Sequence, residues 1–206
     1  MTVVDIKRQK NHTVGVLLSN GEAITLDLDY AASLCIRKGD TLTEEKLLEY
    51  KDESDYIRAK SRGMWFLNRA DHSEKSLYEK IIKGGLPESA AARAIARLKE
   101  LGMLDDIRYA CRLAERMSEA GVSKREAYAR LIQKGIPKQL ASDVLSDTEF
   151  DEGAQLAELI NKKYRLKLEA DGGIQKVYAA LIRKGFSYGA VKAALKKYTQ
   201  ESEWVE

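Results

Sequence analysis

The chain has 206 residues, 44% hydrophobic and 33% charged, with a formal net charge of +3. That balance describes a soluble globular protein, and no run of about 18 apolar residues is present to span a bilayer. The N-terminal Met1-Thr2-Val3-Val4-Asp5-Ile6-Lys7 lacks the apolar core of a signal peptide, so the expected location is the cytoplasm, with Cys35 and Cys111 as reduced core thiols.

Residues 1–29 alternate apolar and polar. Val14, Val16 and Leu18 share one period-two face, and Ile24, Leu26 and Leu28 share another. Asn20-Gly21 between them predicts a hairpin with a type I′ turn, which needs positive φ twice. Val3, Val4 and Ile6 supply a third strand. Asp29 is placed to cap a short helix over Tyr30 to Cys35, Lys38-Gly39-Asp40 turns the chain, and Thr43 starts a helix through Leu47, Leu48 and Tyr50. A small sheet of this kind is marginal alone and must pack on something.

From about residue 55 the chain repeats itself at a spacing of 50. Tyr78, Tyr128 and Tyr178 are in register, as are Ile81, Leu131 and Leu181, then Gly85, Gly135 and Gly185. Pro87 and Pro137 follow, with Ser187 departing from the pattern. Further on, Ala91, Ala141 and Val191 align, as do Ile95, Leu145 and Leu195. Within each unit the Tyr and apolar positions make one helical stripe. The Gly falls where a left-handed C-terminal residue is needed, and Lys134 and Lys184 before it suit the negative helix end. Pro is expected in the first turn of the next helix, where its missing N–H costs no hydrogen bond.

A further helix precedes each pair, over about Asp55–Arg69, Asp106–Ala120 and Asp151–Leu166. In the second of these Ile107, Ala110, Cys111, Ala114 and Met117 point inward. Ser73 and Ser123 are N-cap candidates, and Asp105-Asp106 is read as a cap rather than a carboxylate dyad. The third spacer, Asp171-Gly172-Gly173, is looser. The expected fold is therefore mainly α: three tandem three-helix repeats in an elongated, curved array with flexible joints and a small β-rich N-terminal cap. Residues 1–52 form the cap plus a helix, 53–103, 104–150 and 151–206 the repeats, the last basic with an acidic tail.

No catalytic constellation emerges. His12 and His72 have no partner at metal-ligand spacing, and His72 is expected to be exposed in its spacer. Gly84-Gly85 and Gly172-Gly173 lack the strand and Lys-Ser/Thr of a phosphate loop. The reading is a non-enzyme with no metal and no cofactor. Charge is the stronger signal: ten basic and three acidic residues fall within 153–198. The basic ones, Lys162, Lys163, Arg165, Lys167, Lys176, Arg183, Lys184, Lys192, Lys196 and Lys197, are the candidate residues for binding DNA or an acidic protein surface, suited to phosphates and not to reading bases.

Three stretches resemble the RecX family of recombination regulators. Trp65-Phe66-Leu67-Asn68-Arg69 followed by Ser73-Glu74-Lys75-Ser76-Leu77 is similar to a family Leu-x-x-Arg and Ser-x-x-x-Leu stretch. Leu101-Gly102-Met103-Leu104-Asp105-Asp106 with Tyr109-Ala110 is similar to its Gly-x-Leu-Asp-Asp signature, and Lys134 to Pro137 to its Lys-Gly-Ile-Pro joint. The resemblance implies a regulator, expected to be a monomer, that binds the RecA recombinase filament and single-stranded DNA, directly or through the filament, and limits filament extension, ATP hydrolysis, strand exchange and co-protease activity. The alternatives are a stand-alone helix-turn-helix DNA-binding regulator and a helical protein–protein adaptor.

Overall fold

The computed structural model describes residues 1–170 and 172–198. The chain divides into two compact units, with the boundary after Asp105. It is mainly helical, with one small sheet at the N-terminus.

In the N-terminal unit, β1 (Val3–Arg8), β2 (Thr13–Leu18) and β3 (Ala23–Asp27) form an antiparallel meander. Val14, Val16 and Leu18 are buried, as their alternation predicts, with Val3, Leu26 and Leu47 in the same cluster. The turns differ from expectation. Only Gly21 has positive φ in the β2–β3 connection; with Gly21 N–H donating to the Leu18 carbonyl at 3.0 Å and Leu18 N–H to the Glu22 carbonyl at 2.8 Å, it is a three-residue loop with a bulged glycine. The two consecutive left-handed residues are Asn11 and His12, both at φ 58°, in the β1–β2 turn. Helix α1 (Leu28–Ser33) is capped by Asp27, not Asp29: the Asp27 carboxylate accepts from the backbone N–H of Asp29 and Tyr30.

The two helices expected on either side of residue 52 are one, α2 (Glu44–Leu67), 24 residues long and capped by Thr43. Its first half packs on the sheet, and its second half is the first helix of the first repeat. Ser54, fully buried, accepts a hydrogen bond from the Asp27 N–H at 2.7 Å, tying helix to sheet. Helices α3 (Glu74–Lys83) and α4 (Glu88–Glu100) complete the repeat around Ala59, Leu77, Ile81, Ala94 and Leu98. Gly63 lets α2 approach closely: a methyl there would stand 2.7 Å from Leu98 Cδ1. Arg93 on α4 pairs with Asp52 at 2.5 Å and Glu53 at 2.7 Å on α2.

Like Asp27, Asp55 is a buried charge of this unit, 6% exposed. Burial raises its carboxyl above the ordinary aspartate range, opposed by Arg58 at 3.0 Å and by Lys51. A carboxyl raised on folding favours the native state at acid pH, and that contribution is lost as pH rises through the folded value. Asp55→Asn, which cannot ionise, should therefore gain stability relative to the parent between about pH 4 and neutrality. Urea midpoints at both pH values test this; an unchanged difference between parent and variant would remove the argument.

The C-terminal unit contains the second and third repeats. Helices α5 (Asp106–Glu119), α6 (Lys124–Gln133) and α7 (Lys138–Asp147) enclose Ala110, Ala114, Met117, Leu131 and Leu145. Ile107, expected to point inward, is 62% exposed. Cys111 packs half-buried against this core, but Cys35 in the other unit is exposed and is not a core thiol. Ser73 and Ser123 cap α3 and α6 through the N–H of Ser76 and Glu126, as expected. Pro87 and Pro137 occupy the N-cap itself with extended ψ, one position earlier than expected.

The third repeat departs most. Its first helix is α8 (Glu152–Leu159), a π-helical turn over Ile160–Tyr164, and the short α9 (Arg165–Leu168). The apolar residues Leu156, Ile160, Tyr164 and Leu168 recur every four positions. Four residues overshoot a 3.6-residue turn by about 40°, and a π turn absorbs that drift, keeping all four on the core. Helices α10 (Gly173–Arg183) and α11 (Tyr188–Leu195) follow. Ser187, in place of Pro, caps α11 through the Ala190 N–H and donates to Glu152 Oε2 at 2.6 Å, so the substitution adds a tie to α8. Where a flexible joint between the second and third repeats is expected, hydrogen bonds run instead: Ser123 Oγ donates to the Lys184 carbonyl at 2.6 Å, and Gln155 Nε2 to the Ser118 carbonyl at 3.0 Å.

Candidate nucleic-acid or filament interface

The core pattern of the third repeat decides where its cations go. With Leu156, Ile160 and Tyr164 turned inward, Lys162, Lys163, Arg165 and Lys167 fall on the exposed surface. Lys162 pairs with Glu158 one turn back. Lys167 reaches over the Tyr164 ring, its Nζ 5.9 Å from the centroid.

Three of the ten candidate cations meet at one place. Lys167, Lys176 and Arg183 line a cleft of about 350 Å³ between α9 and α10, floored by Tyr164, Gly173 and Val177. The floor is tight because Gly173 begins α10 against the backbone of α9: a methyl there would stand 1.9 Å from the Lys167 carbonyl oxygen. Lys192 and Lys196 are exposed at the end of α11 and the start of the 3₁₀ turn Lys196–Tyr198. Lys184 is half-buried at the C-cap of α10, where its carbonyl accepts from Ser123. The side chain of Lys197 and the acidic Glu201, Glu203 and Glu206 lie outside the described residues. Cations here surround a shallow apolar floor and can neutralise phosphate or carboxylate oxygens.

A second cationic surface, missed in the sequence reading, lies in the N-terminal unit. Trp65 and Phe66, near the end of α2, stack edge to face at 5.0 Å. The Arg69 guanidinium lies 3.8 Å from the Trp65 ring centre, Arg62 lies 5.9 Å from that of Phe66, and Lys80 Nζ reaches Phe66 at 4.9 Å from α3. His72, half-buried and not exposed as expected, stands edge-on to Phe66 at 5.9 Å. Among the described residues no carboxylate pairs with Arg62, Arg69 or Lys80. The legible signal is spacing: Arg62 to Phe66 and Trp65 to Arg69 are each four apart, which stacks guanidinium on ring along one helix face.

Helix-turn-helix readout of duplex DNA fits poorly. The second helices of the first two pairs are α4 and α7. Arg93 and Arg97 on α4 are engaged with Asp52, Glu53 and Glu100, and α7 exposes Asp143 and Asp147. Among the described residues no helix is long and apolar enough to cross a membrane.

Comparison with known proteins places this architecture. Residues 59–98 match the family model described as RecX, first three-helix domain, and residues 151–195 that described as RecX, third three-helix domain. The chain is 27% identical to the regulatory protein RecX of Clostridium perfringens (strain SM101 / Type A), over 100% of this chain and 99% of the relative. It is also 27% identical to that of Clostridioides difficile (strain 630), over 99% and 98%. A crystal structure of regulatory protein RecX superposes with a TM-score of 0.68 at 22% identity, covering 95% of this chain and 98% of the other. The crystal structure of RecX from Lactobacillus salivarius gives 0.63 at 20% identity, covering 70% and 96%. At those identities the structural likeness speaks for the fold.

Proposed function

The chain belongs to the RecX family, and on that premise we propose that it is a non-enzymatic, cytoplasmic regulator that acts as a monomer on the RecA recombinase. It binds the recombinase filament assembled on single-stranded DNA and restrains filament extension, ATP hydrolysis, strand exchange and co-protease activity. The observation that carries this reading is the end-to-end correspondence with proteins named regulatory protein RecX. The exposed cations of the third repeat support it, since a filament on DNA presents phosphates and acidic protein surface to a helical module.

The deciding assay is single-strand-dependent ATP hydrolysis by the recombinase, with and without this protein. Sub-stoichiometric suppression is the expected result. Unchanged hydrolysis would favour the adaptor reading, and sequence-specific binding to duplex DNA alone would favour the stand-alone DNA regulator. Within the proposal, Lys192→Glu with Lys196→Glu should weaken filament binding several-fold and flatten its salt dependence, each lost phosphate contact on a single strand removing about 0.7 from the log–log slope. Equal affinity with an equal slope would remove Lys192 and Lys196 from the interface.

A further inference from the structure

We propose that the N-terminal unit carries its own binding site for single-stranded DNA, a cleft that takes one unstacked base against Trp65 and its phosphate against Arg62. It rests on the reading above and deepens it by giving direct contact with the single strand a place in the fold.

The cleft, about 540 Å³, opens between the β1–β2 turn and the second half of α2. Asn11 and His12, with the Asp27 carboxylate that caps α1, form one lip, and Arg58, Arg62, Trp65 and Phe66 form the other. A volume of that size accommodates a nucleotide. Three features show a built site and not a solvated helix face.

The first is the seat of Arg62. In the second and third repeats Lys134 and Lys184 precede the left-handed glycine, but here Gly84 does. A methyl on Gly84 would stand 2.3 Å from Arg62 Cζ and 2.6 Å from its Nε and Nη1. Gly84 has φ −79°, a conformation open to any residue, so its backbone does not demand glycine. The guanidinium occupies the space that the lysine side chain would take. It rests at the C-terminal end of α3, where the helix dipole favours a cation, and over the Phe66 ring.

The second is charge without compensation. Arg62, Arg69 and Lys80 gather on two aromatic rings with no carboxylate partner among the described residues, whereas Arg58 and Arg93 of the same unit are paired. Cations held on rings are oriented, and Arg62 and Arg69 remain exposed, where phosphate oxygens can reach them.

The third is the exposed aromatic. Trp65 is 49% exposed although hydrophobic, while its neighbour Phe66 packs against the core. Base-on-aromatic stacking beside a cationic track is how single strands are held without sequence preference, and a duplex keeps its base faces covered. The opposite lip includes two non-glycine residues in the left-handed region, a conformation that costs free energy and collects at ligand sites.

The test uses the full chain without recombinase, in a Trp204→Phe background that leaves Trp65 as the reporter. Titration with an oligothymidylate should quench Trp65 saturably, with little response to a duplex of equal length or to polyglutamate. Arg62→Glu and Trp65→Ala should each weaken oligonucleotide binding about ten-fold or more, the latter followed by anisotropy of a labelled strand. Gly84→Lys is the sharpest variant. It adds a positive charge, so a diffuse electrostatic surface would bind more tightly, whereas displacement of Arg62 from its seat should weaken binding about ten-fold. Absence of quenching, an equal response to duplex or polyglutamate, or tighter binding by Gly84→Lys would each overturn the proposal. Suppression of recombinase ATP hydrolysis, measured in parallel on the parent, reports separately on the regulatory reading.

Discussion

Gly173→Ala is expected to destabilise the C-terminal unit by about 3 kcal/mol, the upper end for forcing one methyl into a packed site. The added carbon would stand 1.9 Å from the Lys167 carbonyl oxygen, 3.0 Å from its carbon and 3.3 Å from the carbonyl carbon of Leu168. These are backbone atoms, so no rotamer change relieves the contact. Retreat of α9 is resisted by the buried Tyr164 just before it and by its own partly buried Leu168. The same shift would disturb the cleft that Lys167 and Lys176 line, so under the proposed function the variant should also bind the filament more weakly. Urea unfolding followed by helical signal, with hydrogen exchange of the α10 amides, measures the first effect. A loss below about 1 kcal/mol would show that α9 and α10 are not held at this distance.

Gly185→Ala is expected to cost about 2–4 kcal/mol, against about 1–2 kcal/mol for Gly85→Ala at the same position of the first repeat. Both glycines sit in the left-handed region, at φ 89° and 83°, and share a strain of about 1–2 kcal/mol for a residue with a Cβ. Their surroundings differ. A methyl on Gly85 meets nothing within 4 Å, whereas one on Gly185 would stand 2.8 Å from Ser123 Oγ and 3.2 Å from Arg125 Cβ. That hydroxyl caps α6 and donates to the Lys184 carbonyl, so the methyl disturbs the bond that joins the second repeat to the third. Loss of the cap and of the joint adds about 1–2 kcal/mol. Hydrogen exchange on α6 and α10 separates the two variants, and equal costs would show that the joint contributes nothing.

The repeat itself is legible in the sequence. Apolar spacing at three and four, a glycine one turn later and Ser at the helix start depend on residues within a few positions of each other, and φ preference and capping act at that range. Gly85, Gly135 and Gly185 all adopt the left-handed conformation, and Ser73 and Ser123 both cap. The misreadings have local causes too. Asn20-Gly21 fits both a type I′ turn and a type I turn with a bulge, and strand pairing chose the second. The helix α2 contains Asp52, Glu53, Ser54 and Asp55, a polar run that suggests a break until Ser54 is seen bonded to the sheet and Asp52 and Glu53 to Arg93.

The candidate interfaces were legible only in part. Composition located the basic excess within 153–198, because charge is counted without knowing where side chains point. It did not distinguish Lys167, Lys176 and Arg183, which share a cleft, from Lys162, which pairs with Glu158. The aromatic–cation cluster on α2 was in view as Trp65, Phe66 and Arg69, yet its third cation comes from α3 and its lip from the β1–β2 turn.

By itself the sequence determined the helical repeat, its caps and its left-handed joints, since these follow from spacing and from the steric limits of single residues. Tertiary structure alone decided that Gly84 makes room for Arg62, that Gly185 meets Ser123 and that one helix serves both sheet and repeat. Each of those depends on atoms brought together from residues far apart in the chain, and no periodicity encodes that proximity.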